Sequence, residues 1–173
     1  VALLQVTPMD AQGNFNFGPN SSHQIEVLRR AKTIIVEVNE NMPYCYGVNN
    51  SIHVSQVTRI VEGSNPAMAT LPPAKVTEVD QKISANILPL IPDGATLQLG
   101  IGGLPNTIGG MIADSDLQDL GVQTEMYVDA YLAIAKAGKI TGQHKGADRG
   151  IQTYAFAAGT QELYDYMNYN KEL

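Results

Sequence analysis

The densest group of residues that could do chemistry is a glycine-rich turn, Gly100-Ile101-Gly102-Gly103-Leu104-Pro105-Asn106. An apolar stretch from Ala95 to Leu99 predicts a strand before it, and Ile108 and Ile112 indicate a helix after it. In that arrangement the peptide N–H groups can point at an anion or at a carbonyl oxygen that acquires negative charge. The same glycines would also suit a plain tight turn between a strand and a helix, with no ligand.

Glu125 is an acidic residue that could also do chemistry. It lies in the strand-like run Gly121 to Met126, near the end at which the chain would leave the sheet. Open α/β sheets bind ligands at this carboxyl rim, where the glycine turn is also expected, so both groups could face one crevice. The alternative is a solvated carboxylate at the end of a strand, which is what most acidic residues are.

A dinucleotide site is a competing interpretation of the same residues. Gly100 and Gly102 follow a predicted strand, and Glu125 stands about 20 residues further on, as in the nucleotide-binding fingerprint. That fingerprint wants a third glycine where Pro105 stands, for close packing of the helix on the strand. The missing glycine argues against this interpretation.

A second polar loop follows the apolar run 33–38 in the first half of the chain. Asn41 and Met42 lie in it, at the end of the predicted strand, and could form one wall of the crevice. The equally open alternative is a polar turn fixed by Pro43.

Strands and helices alternate along the chain, which predicts an α/β fold with a mainly parallel sheet covered on both sides. A helix after Ser21 or Ser22, either of which could cap it, and a helix begun by Thr77 and Asp80 are among the predicted helices. The remaining predicted elements are strands at 1–6, 33–38, 59–62, 95–99, 122–126 and 151–157, and helices at 129–137 and 161–167.

The segment from Gly63 to Lys75 is rich in Gly, Ser, Asn, Ala and Pro and has no amphipathic period. It predicts a boundary between two open-sheet units. We expect one unit at 1–63, a Pro-rich linker at 64–75 and a second unit at 76–173.

Composition excludes several classes of function. The 173 residues carry a formal net charge of -6 without a basic run, which argues against nucleic acid as a partner. No apolar stretch approaches the roughly 20 residues of a membrane-spanning helix, so we expect no membrane and a cytoplasmic protein. The single Cys45 and three scattered histidines show no metal-ligand spacing, so no metal is predicted.

Several blocks resemble, in order and spacing, those of the acetyl-CoA hydrolase/transferase family, and within it the 4-hydroxybutyrate and butyrate/acetate CoA-transferases. The resemblance covers essentially the whole chain. Members are more than twice as long, so the chain is expected to be an internal fragment that ends the N-terminal domain and begins the C-terminal domain. The blocks are TPMD and FNFG at 7–10 and 15–18, VNENMP at 38–43, IVEG at 60–63, QLGIGGLPN at 98–106, DLG at 119–121 and TEM at 124–126.

The resemblance implies an enzyme that moves coenzyme A between an acyl-CoA and a short-chain carboxylate such as 4-hydroxybutyrate, butyrate or acetate. In the family, the glutamate matching Glu125 forms a covalent thioester with CoA, and the block matching Gly102, Gly103, Leu104, Pro105 and Asn106 contacts the CoA thioester. CoA would be substrate and covalent intermediate, with no permanently bound cofactor, in a homo-oligomer. Family members often have His where this chain has Gln123.

Two other functions stay open at this point. An acetyl-CoA hydrolase would use the same glutamate and glycine turn but would admit water to the intermediate. A non-catalytic nucleotide-binding α/β domain would not depend on Glu125. The acyl group and the acceptor acid cannot be deduced from these residues.

Overall fold

The computed structural model describes residues 1–72 and 75–173 as an α/β protein with two compact units. The first unit comprises Val1–Ala69 with Tyr164–Lys171, and the second comprises Thr70–Leu163 with Glu172–Leu173. Part of the predicted linker 64–75, namely Pro73 and Ala74, lies outside the described residues. The predicted domain boundaries and the linker stay predictions.

A parallel sheet and a small antiparallel pair of strands make up the first unit. The parallel sheet has the strand order β1-β3-β5, and β2 pairs with β4 in antiparallel fashion. The elements in chain order are β1 (Ala2–Val6), β2 (Asn14–Asn16), α1 (Gln24–Arg30), β3 (Ile34–Val38), β4 (Ser51–His53) and β5 (Arg59–Glu62).

The core of the first unit forms on one face of its parallel sheet. Val6 and Val36 are fully buried there with Phe15, Phe17 and Leu28. Alternation along the strands turns the next residues to the opposite face. On that face Leu3 is 74% exposed and Val61 is 47% exposed.

The prediction that a serine caps α1 is wrong. The N-cap is His23, and it makes no side-chain capping hydrogen bond. Ser22 is engaged elsewhere, because its hydroxyl donates to Asn20 Oδ1 at 2.9 Å and also contacts the His23 ring. A local turn around Asn20 therefore takes the hydroxyl that a cap would need.

The second unit alternates helices with a parallel sheet of order β6-β7-β8. Its elements in chain order are α2 (Glu78–Ile87), β6 (Thr96–Leu97), α3 (Gly103–Asp114), β7 (Gly121–Tyr127), α4 (Asp129–Lys136), β8 (Thr153–Ala157) and α5 (Gln161–Met167), whose residues from Tyr164 onward belong to the first unit.

The predicted start of α2 is confirmed by a capping box. The Thr77 hydroxyl accepts the N–H of Asp80 at 3.2 Å, and the Asp80 carboxylate accepts the N–H of Thr77 at 2.9 Å. This reciprocal pair satisfies two N–H groups that the start of a helix would otherwise leave free. The helix ends at Ile87 and is followed by a short 3-10 turn, Leu88–Leu90, that contains Pro89.

Close packing of α3 on α4 fixes the helix that follows the glycine turn. A Cβ added at Gly109 would lie 2.6 Å from Ala130 Cβ and 3.0 Å from Ala130 Cα, so the two backbones approach as only glycine permits. Ile108, Ile112 and Ile134 are buried in the core beneath this contact. Within residues 1–72 and 75–173 there is no helix whose length and apolar character would suit it to cross a membrane.

Candidate active site

The register of the second sheet brings the glycine turn and Glu125 to one edge. β6 pairs in parallel with β7, with Thr96 opposite Gly121 and Leu97 opposite Val122. Continuing this register sets Gly100 level with Glu125. Because parallel strands end on the same side of a sheet, the turn after β6 and the carboxyl end of β7 lie at the same rim.

The backbone of the glycine turn has a conformation that only glycine adopts readily. Gly102 has φ 119° and ψ -175°, and a Cβ built on it would find no atom within 4 Å. The space beside Gly102 is therefore open to a ligand. Gly103 is confined, because a Cβ there would lie 2.7 Å from the carbonyl oxygen of Lys75.

The start of α3 offers backbone donors at this rim. Gly102 is the N-cap and has no side chain to accept the first N–H groups of the helix. The N–H of Asn106 donates to the carbonyl oxygen of Gly102 at 3.2 Å, and Pro105 has no N–H. No group within residues 1–72 and 75–173 accepts the N–H of Gly103 or Leu104, so both can bind an anion or an oxyanion at the positive end of the helix dipole. The Leu104 side chain packs against the core, so this residue can offer a ligand its backbone.

A cavity of about 320 Å³ lies at the same rim of the second unit. Its position is set by loops that follow all three strands of the sheet. The lining residues are Leu71, Pro72, Ile101, Gly102, Asn106, Val128, Asp129 and Ala158. Two of the predicted site residues, Gly102 and Asn106, are thus brought to one cavity, whose other walls are mainly apolar.

Asp129 holds two of these loops together. Its carboxylate accepts the hydroxyl of Thr160 at 2.6 Å and the N–H of Thr160 at 3.1 Å. A Cβ on Gly159 would lie 2.7 Å from the same carboxylate, so glycine is required beside it. Sequence reasoning gave Asp129 no role, although an acidic residue at the first position of a helix beside the rim was a usable signal.

Glu125 projects from β7 into solvent, whereas its neighbour Thr124 is buried. Adjacent strand residues point to opposite faces, so Glu125 lies on the face away from the Thr124 side chain. Its carboxylate makes no hydrogen bond or ion pair to residues 1–72 or 75–173. Glu125 shares the rim with the glycine turn but is not among the described residues that line the cavity.

Tyr131 is a buried polar group that sequence reasoning missed. It lies in α4 with 0% exposure, and its hydroxyl accepts the N–H of Leu99, the residue before the glycine turn. Burial raises the pKa of Tyr131, while hydrogen bonds to the Thr124 side chain and the Leu99 N–H act in the opposite direction. The phenol is therefore neutral at physiological pH. No sequence pattern marks it, since a tyrosine on an apolar helix face reads as ordinary core.

Asn41 and Met42 belong to the first unit, in the loop after β3. The Asn41 side chain donates to the carbonyl oxygen of Asn65 at 2.7 Å, and its N–H donates to Asn39 Oδ1 at 3.0 Å. Met42 packs tightly over Gly18, where an added Cβ would lie 2.5 Å from Met42 Cγ. These contacts give both residues a structural role in their loop, and the predicted wall of a binding site stays a prediction.

Lys145 is a buried cation at the opposite edge of the second sheet. Its ammonium group donates to the carbonyl oxygen of Ile151 at 2.6 Å and to the hydroxyl of Thr153 at 2.7 Å. Burial lowers the pKa of Lys145, and the nearby Asp148 opposes that shift. Thr153 is the first residue of β8, so the Lys145 ammonium group binds the amino-terminal end of that strand. It is therefore remote from the carboxyl rim of the sheet. Among the residues that the structure describes, no group of three or more His, Cys, Asp or Glu side chains could hold a metal ion.

Comparison with known proteins identifies the family of the chain. Residues 1–72 match the sequence profile of the acetyl-CoA hydrolase/transferase N-terminal domain. Over 99% of its length the chain is 59% identical to the butyryl-CoA:acetate CoA-transferase of Anaerostipes caccae, and it covers 39% of that protein. The chain belongs to the acetyl-CoA hydrolase/transferase family.

Other members of the acetyl-CoA hydrolase/transferase family extend the match. The 4-hydroxybutyrate coenzyme A transferase of Clostridium kluyveri is 39% identical over 98% of the chain, which covers 39% of it. The crystal structure of RipA from Yersinia pestis matches with a TM-score of 0.93 at 36% identity, over 98% of this chain and 39% of that one. The chain thus spans about 39% of the length of these relatives. The predicted family and the mainly parallel α/β class are confirmed.

Proposed function

We propose that the protein transfers coenzyme A between an acyl-CoA and a short-chain carboxylate such as butyrate, acetate or 4-hydroxybutyrate, through a covalent thioester on Glu125. The observation that supports the proposal most is the parallel pairing of β6 with β7, whose register, if continued beyond Leu97 and Val122, sets Gly100 level with Glu125. The names of the relatives, which are CoA-transferases, support the substrate class.

A carboxylate suits this exchange because it can form first an anhydride and then a thioester, which keeps the energy of the thioester bond on the enzyme. A Glu125 oxygen attacks the thioester carbonyl, and collapse of the tetrahedral adduct expels CoA thiolate and leaves a mixed anhydride. The thiolate attacks the γ-carbonyl of Glu125 and expels the donor acid, which leaves a glutamyl-CoA thioester. An incoming carboxylate reverses both steps, so that no bond energy is lost to water.

Each attack creates an oxyanion, and the free N–H groups of Gly103 and Leu104 supply donors for it. Removing one such donor typically raises the barrier by about 2.7–4 kcal/mol. The N–H groups are preorganised because α3 fixes them, and they require no movement during the reaction. Gly102 provides the open approach, since no side chain occupies the space beside it.

A trapping experiment on the full-length protein tests the proposal. Incubation with acyl-CoA followed by borohydride or hydroxylamine should modify one peptide, and mass spectrometry should map the modification to Glu125. We expect Glu125→Gln to abolish the trapped adduct and to lower kcat by at least about 1,000-fold, as loss of a covalent nucleophile typically does.

Asp114→Asn is the matched control. Asp114 is an exposed acid of the same unit and the last residue of α3, at the end of that helix opposite to Gly103. This variant should retain the adduct and the transfer rate. Modification of a different residue in the wild type, or none under turnover, would contradict the role of Glu125.

Hydrolysis of acetyl-CoA is the second candidate, because the matching domain profile includes hydrolases and the Glu125 side chain is exposed in this chain. A hydrolase would consume acetyl-CoA at the same rate with and without an added carboxylate. A transferase should instead show product formation that depends on the acid and a new acyl-CoA in equal amount. Separation of the CoA esters by chromatography distinguishes the two.

A further inference from the structure

The strands β6 and β7 separate just before the glycine turn. Their ladder ends with the pair Leu97 and Val122, although continued register would set Leu99 opposite Thr124. At that level the N–H of Leu99 donates to the hydroxyl of Tyr131. The Tyr131 side chain of α4 therefore accepts the Leu99 N–H at the level where β6 and β7 no longer pair.

The same hydroxyl also reaches the other strand. The Tyr131 ring stacks on the ring of Tyr127 in β7, with ring centroids 5.0 Å apart. The Thr124 side chain of β7 lies beside the Tyr131 hydroxyl and acts to lower its pKa, and the Thr124 hydroxyl donates to the carbonyl oxygen of Met126 at 3.1 Å. Tyr131 and Thr124 are both buried, so solvent does not replace these contacts. The Tyr131 side chain thus connects the residue before Gly100 with the strand that carries Glu125.

We infer that Tyr131 is a positioning residue: its hydroxyl fixes the separation between the glycine turn and the strand that carries Glu125. The inference rests on the proposed function, because the separation matters to chemistry only if Glu125 reacts at that turn. Tyr131 itself does not line the cavity, so it acts through Leu99 and Thr124.

A purely structural role would not require the hydroxyl at this place. Phenylalanine would fill the same volume and preserve the stack on Tyr127, whose ring centroid is 5.0 Å away. It would leave the Leu99 N–H without its partner, and a buried unpaired N–H is costly enough for the backbone to shift. The shift would reach Gly100, where glycine offers little resistance to a change in φ and ψ.

The test compares two buried tyrosines in the full-length protein, Tyr131→Phe and the matched control Tyr127→Phe. Tyr127 is also fully buried, and its hydroxyl donates to Gln152 Oε1 at 2.7 Å. The rate of adduct formation at Glu125 is followed by rapid quenching with borohydride and mass spectrometry, and CoA affinity is measured separately by titration.

We expect Tyr131→Phe to slow adduct formation by about 10- to 100-fold, because a misplacement near 1 Å can cost that much. CoA affinity should stay near the wild-type value, and Tyr127→Phe should react at nearly the wild-type rate. Hydrogen exchange at Leu99 should be faster in Tyr131→Phe than in Tyr127→Phe.

Thr124→Val removes the second partner of the hydroxyl and keeps the test decisive if Tyr131→Phe folds poorly. It should slow adduct formation as well, and the double variant should be less impaired than the product of the two single effects, because both act through one contact.

The two possible failures can be told apart. A wild-type protein that forms no adduct at Glu125 would contradict the proposed function and the inference together. A wild-type adduct with Tyr131→Phe no slower than Tyr127→Phe would overturn the inference alone.

Discussion

At the scale of single residues, the geometry of the rim depends most on the backbone conformation of Gly102. Its φ of 119° is strained for any residue with a Cβ, yet the space around it is empty, so a substitution would act through the backbone alone. We expect Gly102→Ala to cost about 1–3 kcal/mol in the free energy of unfolding and to slow CoA transfer. Urea unfolding and a transfer assay on the full-length protein measure the two effects.

Gly110→Ala is the control for that variant. Gly110 lies inside α3, and a Cβ there also meets no atom within 4 Å, but its φ is not positive. Alanine in the middle of a helix should stabilise it by up to about 1 kcal/mol without affecting transfer. Equal losses in the two variants would show that strain at Gly102 is not the cause.

Asp10 gives a pH-dependent prediction in the first unit. N–H groups of Asn14 and Gln12 donate to its carboxylate at 2.8 and 2.9 Å, and the Asn14 bond is the main cause of a pKa below the ordinary 3.8. A depressed folded-state pKa means stability that is present above the ordinary value and is lost as the pH falls through the folded-state pKa. Below about pH 4, the free energy of unfolding of Asp10→Asn should therefore fall less steeply with decreasing pH than that of the wild type.

Urea midpoints measured from neutral to acid pH test this expectation. The midpoints of wild type and Asp10→Asn should converge as the pH falls. A constant difference between them at every pH would mean that ionisation of Asp10 contributes nothing to stability.

At the scale of elements, the contact of α3 with α4 holds the start of α3 against the sheet. Because an added methyl at Gly109 would lie 3.0 Å from the Ala130 backbone, one helix must move to accept it. We expect Gly109→Ala to destabilise the protein by about 1–3 kcal/mol, the usual range for overpacking. Gly110→Ala, one residue further along the same helix, is again the control, and thermal unfolding distinguishes them.

The elements that carry their own local signal could be predicted from the sequence. The capping pair Thr77 and Asp80, the apolar run of β3 and the helix Gln161–Met167 were all predicted close to their observed bounds. The short strands β2 and β4 were missed, because three residues are too few to show an alternating pattern.

The rim was predictable in part for the same reason. The glycine turn follows β6 and Glu125 lies near the carboxyl end of β7, and parallel topology brings such positions to the same edge of the sheet. The contact of Tyr131 with Leu99 joins residues far apart in the chain, and it depends on how far the strands separate. Neither the composition nor the periodicity of the sequence predicts how far β6 and β7 separate.

At the scale of the whole molecule, the first unit has an apolar sheet face that this chain leaves open. Leu3 and Val61 lie on it beside Gln5, Ile35 and Glu37. Parallel sheets are normally covered on both faces, and the relatives are much longer than this chain. We expect the 173-residue chain to bind a hydrophobic dye such as ANS, and Leu3→Lys with Val61→Lys to reduce its fluorescence.

Leu90→Lys is the control for dye binding. Leu90 is 78% exposed and lies in the short turn after α2, in the second unit. Its replacement should leave the fluorescence unchanged. If Leu90→Lys lowered the signal as much as the double variant, the dye would not report on the open face.

The shortness of β6 has a consequence for how the protein fails on heating. Only Thr96 and Leu97 form β6, the strand that leads into the glycine turn. So few ladder hydrogen bonds can open while the rest of the sheet stays folded. Heat inactivation should therefore begin several degrees before the secondary structure melts, and it should reverse on cooling as long as the cores stay intact.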